Sequence, residues 1–335
     1  MQNFNTSDYE KMIGELIHDT FYVDLSNRGK IKGIRQFSEV LVRKILDIGN
    51  DKKLMLGQLE YKFNDKLNML QDERKGNLLE IISRIVRLGN DSTHTQRTDE
   101  FTEDELNQVI DGMFDLYAYM FIDYFLKYPM HLFSPRAVLK SFSLLPPIIR
   151  YKTLKYLYER EPNLQIANRY SLSIIKTYGK NESLSWLTKE KDKLISMSYP
   201  TEAEMEKCIL ASPEVSPGLF IVSIDLPRFD NVYDLLKSKI EDPNTSINEK
   251  GKLYSNFEEA KKHYEMNKIL TSDNIEGAKN LYKRIKQRFS NNIEEVRRYY
   301  EVNHLSFPEN GEKTFDELEE FGILMDFVFM GRTGQ

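Results

Sequence analysis

Arg87, Asn90 and His94 fall within the segment 84–97, RIVRLGNDSTHTQR, and their side chains suit phosphodiester chemistry. A guanidinium grips phosphate oxygens through two parallel hydrogen bonds, and an imidazole gains and loses a proton near neutral pH. Asn90, between them, can orient the imidazole or hydrogen-bond a phosphate or base. Arg84 and Arg97 flank the three and are candidates for binding substrate phosphates. Upstream, Leu78, Ile81, Ile82, Ile85 and Leu88 recur at helical spacing and predict a buried stripe. Arg87 then projects roughly opposite that stripe, because successive residues turn by about 100°. Gly89-Asn90 is expected to stop the helix, since both residue types tolerate the left-handed conformation that ends helices. On that reading His94 sits in the turn beyond, free to fold back towards Arg87.

The elements that must position these residues are helical. Ser7 and Glu10 form a capping-box pattern ahead of Tyr9, Met12, Ile13, Leu16 and Ile17. NRGKIKG (27–33) reads as a turn, followed by a helix through Ile34, Phe37, Leu41, Ile45 and Ile48 that stops at Gly49. LMLGQLEYKFNDKL (54–67) is a third candidate helix, and the Arg87 helix is the fourth. Thr102 and Glu105 form a second capping box. It opens a stripe running from Leu106 through Val109, Met113 and Tyr117 to Phe121 and Tyr124, which Tyr128-Pro129 should end. Four or five such helices with short connections predict a compact bundle over residues 1–128.

Past Pro129 the texture changes. Ser134-Pro135 marks a helix start, Pro146-Pro147 precedes IIRYKTLKYLYERE, and GLFIVSID (218–225) is the best strand candidate. Three amphipathic helices are expected over FEEAKKHYEMNKIL, NIEGAKNLYKRIKQRF and NNIEEVRRYYEVNHL. The fold class predicted is all-α, an N-terminal bundle (1–128) followed by a mostly helical C-terminal domain (129–335).

The order helix, Arg-x-x-Gly-Asn-x-x-x-His, acidic linker, long helix resembles the HEPN superfamily (higher eukaryotes and prokaryotes nucleotide-binding). More narrowly, it is similar to the HEPN-like domain of unknown function found in bacterial restriction and defence proteins. Arg87, Asn90 and His94 match the family's Arg–His signature at its longest spacing. Arg35, Glu39 and Leu41 in IRQFSEVLVRKIL match its upstream helix, and the resemblance covers roughly residues 5–128. It implies RNA cleavage without a metal or other cofactor, Arg87 neutralising charge on the phosphate and His94 moving the proton. It also implies a homodimer that brings two such motifs into one cleft, acting in anti-phage defence (abortive infection) or as a toxin with an antitoxin. Leu88, after the arginine, departs from the strongly polar residue of many active ribonucleases. The alternative is therefore a non-catalytic, dimerising interaction module that binds a phage or host partner or nucleic acid.

Composition bounds these readings. The chain has 335 residues, enough for two domains, with 40% apolar and 30% charged residues. A net charge of −5 argues against a surface coated for non-specific nucleic-acid binding but leaves room for a local basic groove. Cys208 is the single cysteine, so no disulfide framework or thiolate zinc site is expected. The five histidines form no HExxH or HxH pattern, and no GxxxxGK[ST] phosphate loop is present. Asp225 follows the strand-like run without the Glu-x-Lys of a metal-dependent nuclease. MQNFNTSDYE lacks the look of a signal peptide and no apolar run is long enough to span a bilayer, so a cytoplasmic protein without membrane contact is expected. A second basic tract, YKRIKQRF followed by RRYY, places Lys283, Arg284 and Arg288 beside tyrosines and a phenylalanine. Such mixtures of cations and rings grip single-stranded nucleic acid, and an amphipathic helix pair with its rings inward has the same pattern.

Overall fold

The computed structural model describes residues 3–131, 134, 136–197, 214–216, 219–220, 229–242, 260–262, 264–265 and 311–332. The protein is all-α. It divides into two compact units, one of residues 1–123 with 326–335, the other of residues 124–325.

In the first unit, α1 (Glu10–Ile17) follows a 3₁₀ turn at Thr6–Tyr9. Asn5, rather than the expected Ser7, caps this start, its side chain accepting from the Ser7 N–H. The cap is set from a distance: Asp47 Oδ1 accepts from the N–H groups of Asn3 and Phe4 at 2.7 and 2.8 Å, and the Phe4 ring stacks on Tyr9 at 4.9 Å. Those same bonds hold Asp47 itself at φ 50°, the left-handed region a non-glycine residue seldom enters.

The second helix, α2, spans Asn27–Ile45, so NRGKIKG forms its first turns rather than a separate turn, and the helix ends before Gly49. Ser26 caps it. The glycine at 33 serves close packing: a Cβ there would lie 2.0 Å from Thr20 Oγ1. The stretch expected as one helix over 54–67 is broken. A 3₁₀ turn at Leu56–Gln58 leads into the short α3 (Leu59–Lys62) and α4 (Asn64–Leu67), which meet at a buried, non-helical Phe63.

The long α5 runs Asp72–Thr93 and buries Leu78, Ile81, Ile82, Ile85 and Leu88. It passes straight through Gly89-Asn90, correcting the expected stop. A Cβ on Gly89 would meet the Arg35 side chain of α2, 2.5 Å from its Cδ, so this glycine admits a neighbouring helix instead of reversing the chain. Ser92 and Thr93 hydroxyls then donate to the Gly89 and Asn90 carbonyls at 2.8 and 2.9 Å, satisfying acceptors of the last turn.

The capping box at the start of α6 (Glu103–Lys127) is present: Glu105 N–H donates to Thr102 Oγ1, and Thr102 N–H to Glu105 Oε2. From Met113 to Ile122 its apolar side chains are buried on every face, which marks a central helix. Arg74 of α5, almost fully buried, meets Asp123 at 2.6 Å, donates to the Tyr119 carbonyl and stacks on that ring at 3.6 Å. Burial raises the Asp123 carboxyl despite this arginine. Residues 326–332 complete the unit. Phe327 packs edge-on against Phe4, and buried Arg332 donates to the Tyr117 hydroxyl at 3.0 Å.

The second unit contains α7 (Arg136–Phe142), α8 (Pro147–Arg160), α9 (Leu164–Tyr178), α10 (Lys180–Lys189) and α11 (Lys191–Ser196). Pro147, expected only to separate helices, is itself the first residue of α8, while Pro135 of the expected helix start lies outside the described residues. Asn163 caps α9, and Gly179 at φ 100° ends it. A helix over Val232–Glu241 and the final helix, Gly311–Phe329, follow. A short antiparallel pair, β1 (Glu214–Ser216) and β2 (Leu219–Phe220), is the only strand pairing among the described residues. The remainder of the strand expected over 218–225 lies outside the described residues, as do most of the three helices expected after residue 257.

Candidate functional site

Because α5 continues to Thr93, Arg87 and His94 are seven helical positions apart, and His94 is the C-cap. The expected turn that would fold His94 back onto Arg87 is absent. Seven steps of about 100° bring His94 to within about 20° of Arg87 around the axis, some 10 Å further along it. Asn90 lies between, its carbonyl accepting the His94 N–H at 3.0 Å. Arg87 and His94 are exposed and Asn90 is half-buried, so the three line one outward face opposite the buried stripe. Geometry therefore brings them together as a row rather than a cluster.

Among the described residues Arg87 has no carboxylate partner. Its Nη2 donates to Gln108 Oε1 of α6 at 3.3 Å. Arg87 also lines a cleft of about 690 Å³, walled on one side by Leu79, Ile82 and Val86 of α5 and on the other by residues 56–61. Tyr61 borders this cleft and is 88% exposed. Gln108 and Tyr61 lack a motif; only their contact with Arg87 or its cleft marks them.

The two flanking arginines, expected to bind substrate phosphates, are each paired with carboxylates. Arg84 pairs with Asp115 at 2.6 Å and Asp111 at 3.7 Å on α6. Arg97 forks onto Glu105 at 2.8 and 2.9 Å and stacks on Phe101 at 3.8 Å. The Arg97 fork and the Thr102 amide hold the Glu105 carboxyl down at about 2. Arg84 therefore clamps α5 to α6, and Arg97 clamps the 94–102 linker to the start of α6.

Arg28, which the sequence reading passed over, completes that clamp. Its guanidinium donates to the carbonyls of Asp91, Arg97 and Asp99 and lies 4.9 Å from the Phe101 ring. Arg35 does the same for the helix end, Nη1 donating to Gly89 O at 3.4 Å and Thr93 Oγ1 at 3.3 Å. One turn along α2, burial raises the Glu39 carboxyl even with Arg35 and Arg43 nearby. Arg35 thus reaches the His94 end of α5, while Leu41 is core. Arg28 and Arg35 also put positive charge at a helix C-terminus, where it is favoured.

Lys283, Arg284 and Arg288 lie outside the described residues. Among the described residues no group of three or more His, Cys, Asp or Glu side chains is placed to hold a metal ion, and no helix is long and apolar enough to cross a membrane. Comparison with protein-family models, with curated proteins and with solved structures finds no match in any of the three.

Proposed function

We propose that the protein is a metal-independent endoribonuclease in which Arg87, Asn90 and His94 act on an RNA phosphodiester. The observation that carries the reading is the exposed row on α5. Arg87, without a carboxylate partner among the described residues, and His94 are about 10 Å apart on one face, and a phosphate seated between them would meet both side chains. Arg87 would neutralise the charge that builds on the phosphoryl oxygens as the 2′-oxygen attacks phosphorus. The P–O5′ bond breaks as the P–O2′ bond forms, leaving a 2′,3′-cyclic phosphate and a 5′-hydroxyl. A proton leaves the 2′-hydroxyl and another reaches the departing 5′-oxygen. One imidazole cannot stand on both sides of the phosphorus at once, so a second copy of the chain supplies the second His94. The cleft beside Arg87, with Tyr61 exposed at its edge, offers a ring on which a flanking base stacks. The cellular setting, anti-phage defence or a toxin restrained by an antitoxin, rests on the HEPN resemblance.

The second reading is an interaction module without catalysis. Its specific support is the same cleft: mostly apolar walls, with Tyr61 on its border exposed at 88%.

A structured RNA incubated with the purified chain in excess chelator separates the two. The parent should cleave it to 2′,3′-cyclic ends, and His94→Ala and Arg87→Ala should each slow cleavage by about 100-fold or more. Equal cleavage by all three proteins would remove the row from the mechanism. No cleavage by the parent, together with unimpaired growth of a bacterial host expressing it, would establish the interaction reading.

A further inference from the structure

The exposed row on α5 is one part of a longer face. Leu79, Ser83 and Arg87 follow one another at four-residue steps, and Asn90 and His94 continue the line towards the helix end. All five fall within about 80° of one another around the axis. The stretch from Leu79 to Arg87, about 12 Å long, is one wall of the 690 Å³ cleft, so Arg87 belongs both to the cleft and to the row.

The opposite wall comes closest at Gly57. A Cβ there would lie 3.5 Å from Val86 Cγ1, an ordinary contact, so the bare backbone of residue 57 faces the sequence neighbour of Arg87. Both residues line the cleft, and a side chain much larger than a methyl group at 57 would take up its space beside Arg87.

The charges on the lining orient an occupant. Glu60 is its one carboxylate, exposed and in no ion pair among the described residues. A polyanion is drawn to Arg87 and kept from Glu60. A strand that reaches Arg87 therefore places a phosphate there and an uncharged base, not a second phosphate, between the walls. Leu79, Ile82 and Val86 make the α5 wall largely apolar. The gain from covering such a wall grows with the area removed from water, which favours the larger ring system of a purine.

We propose that the cleft is a purine subsite: the base next to the phosphate held by Arg87 enters it, and cleavage falls beside purines. This occupant rests on the reading of Arg87 as a ligand for an RNA phosphate, and goes further in naming the base that flanks the cut.

Binding is read apart from cleavage on the His94→Ala protein, by fluorescence anisotropy of labelled UUAUU, UUGUU and UUUUU ribonucleotides. The two purine-containing strands should bind about fivefold or more tightly than UUUUU. Gly57→Leu and Ser83→Trp, made in the same background, fill the cleft from its opposite walls. Each should erase the preference, and an unchanged melting temperature shows that the fold is kept. With His94 present, the cut in UUAUU should fall at a bond adjoining the adenosine. Equal binding of the three strands by folded protein overturns the subsite, as does a preference that survives in both filled variants. Loss of a dimer in those variants, with the purine preference intact, makes a second copy of the chain the occupant and overturns it as well. Purine-selective binding that the filled variants abolish, without cleavage by the parent, supports the subsite and removes the catalytic reading. Cleavage without regard to purines supports the catalytic reading and removes the subsite.

Discussion

Arg97 and Glu105 illustrate how a single ion pair serves the candidate site without touching a substrate. The fork between them ties the linker that carries His94 to the first turn of α6, and Phe101 is pressed between Arg97 and Arg28. The Glu105 carboxyl is held at about 2, below the ordinary 4.5, chiefly by Arg97 and then by the Thr102 amide. A depressed carboxyl stabilises the folded state above the unfolded pKa, and that contribution is lost as pH falls through the folded one. Glu105→Gln keeps a side chain able to complete the capping box while removing the charge. Its melting temperature should fall about 2 °C below that of the parent at neutral pH, as suits a pair near the surface, and the gap should narrow below about pH 4.5 and close only as pH falls through about 2. Thermal melts across that range decide the matter. A gap that persists in acid would mean the packing of the linker, rather than the pair, is what Glu105 supplies.

At the scale of elements, several local signals were legible and the non-local ones were not. The Thr102–Glu105 box, the apolar stripe of α5 and the end of α6 before Tyr128-Pro129 all depend on residues within a turn or two of each other. Glycines were misread because their role depends on what packs opposite. Gly33 faces Thr20 and Gly89 faces Arg35, partners 13 and 54 residues away. The same distance hid Arg28 and Arg35 as supports of the site. Within α5 the two kinds of glycine predict opposite outcomes. Nothing lies within 4 Å of a Cβ on Gly76, so Gly76→Ala should stabilise by about 0.5–1 kcal/mol through helix propensity alone. Gly89→Ala gains the same propensity but drives its methyl to 2.5 Å from Arg35 Cδ and 3.2 Å from Arg35 Cβ, too near the backbone for the side chain to swing aside freely. Overpacking costs about 1–3 kcal/mol, so the net effect should be a loss of about 1 kcal/mol. Denaturant unfolding of both variants measures this. Stabilisation by Gly89→Ala would mean that Arg35 is not packed against α5 as described.

At the scale of the molecule, the proposed cleavage sets the stoichiometry a working site would need. The α5 row supplies one imidazole, and transesterification needs one proton removed and another delivered on opposite sides of the phosphorus. A chain acting alone would have to fill both roles with His94 in succession; two chains can fill them together, with the exposed rows facing across a two-fold axis. These arrangements differ in how activity dilutes. When parent and His94→Ala chains are co-expressed in equal amounts and assemble at random, a site needing His94 from both copies survives only in parent–parent pairs. About one quarter of the activity per total chain should then remain, against about one half if each chain works independently. Arg84 and Arg97 are engaged with carboxylates of their own chain and do not enter this count. Retention of one half in the mixture would assign both proton transfers to a single His94 and leave the second copy without a catalytic part.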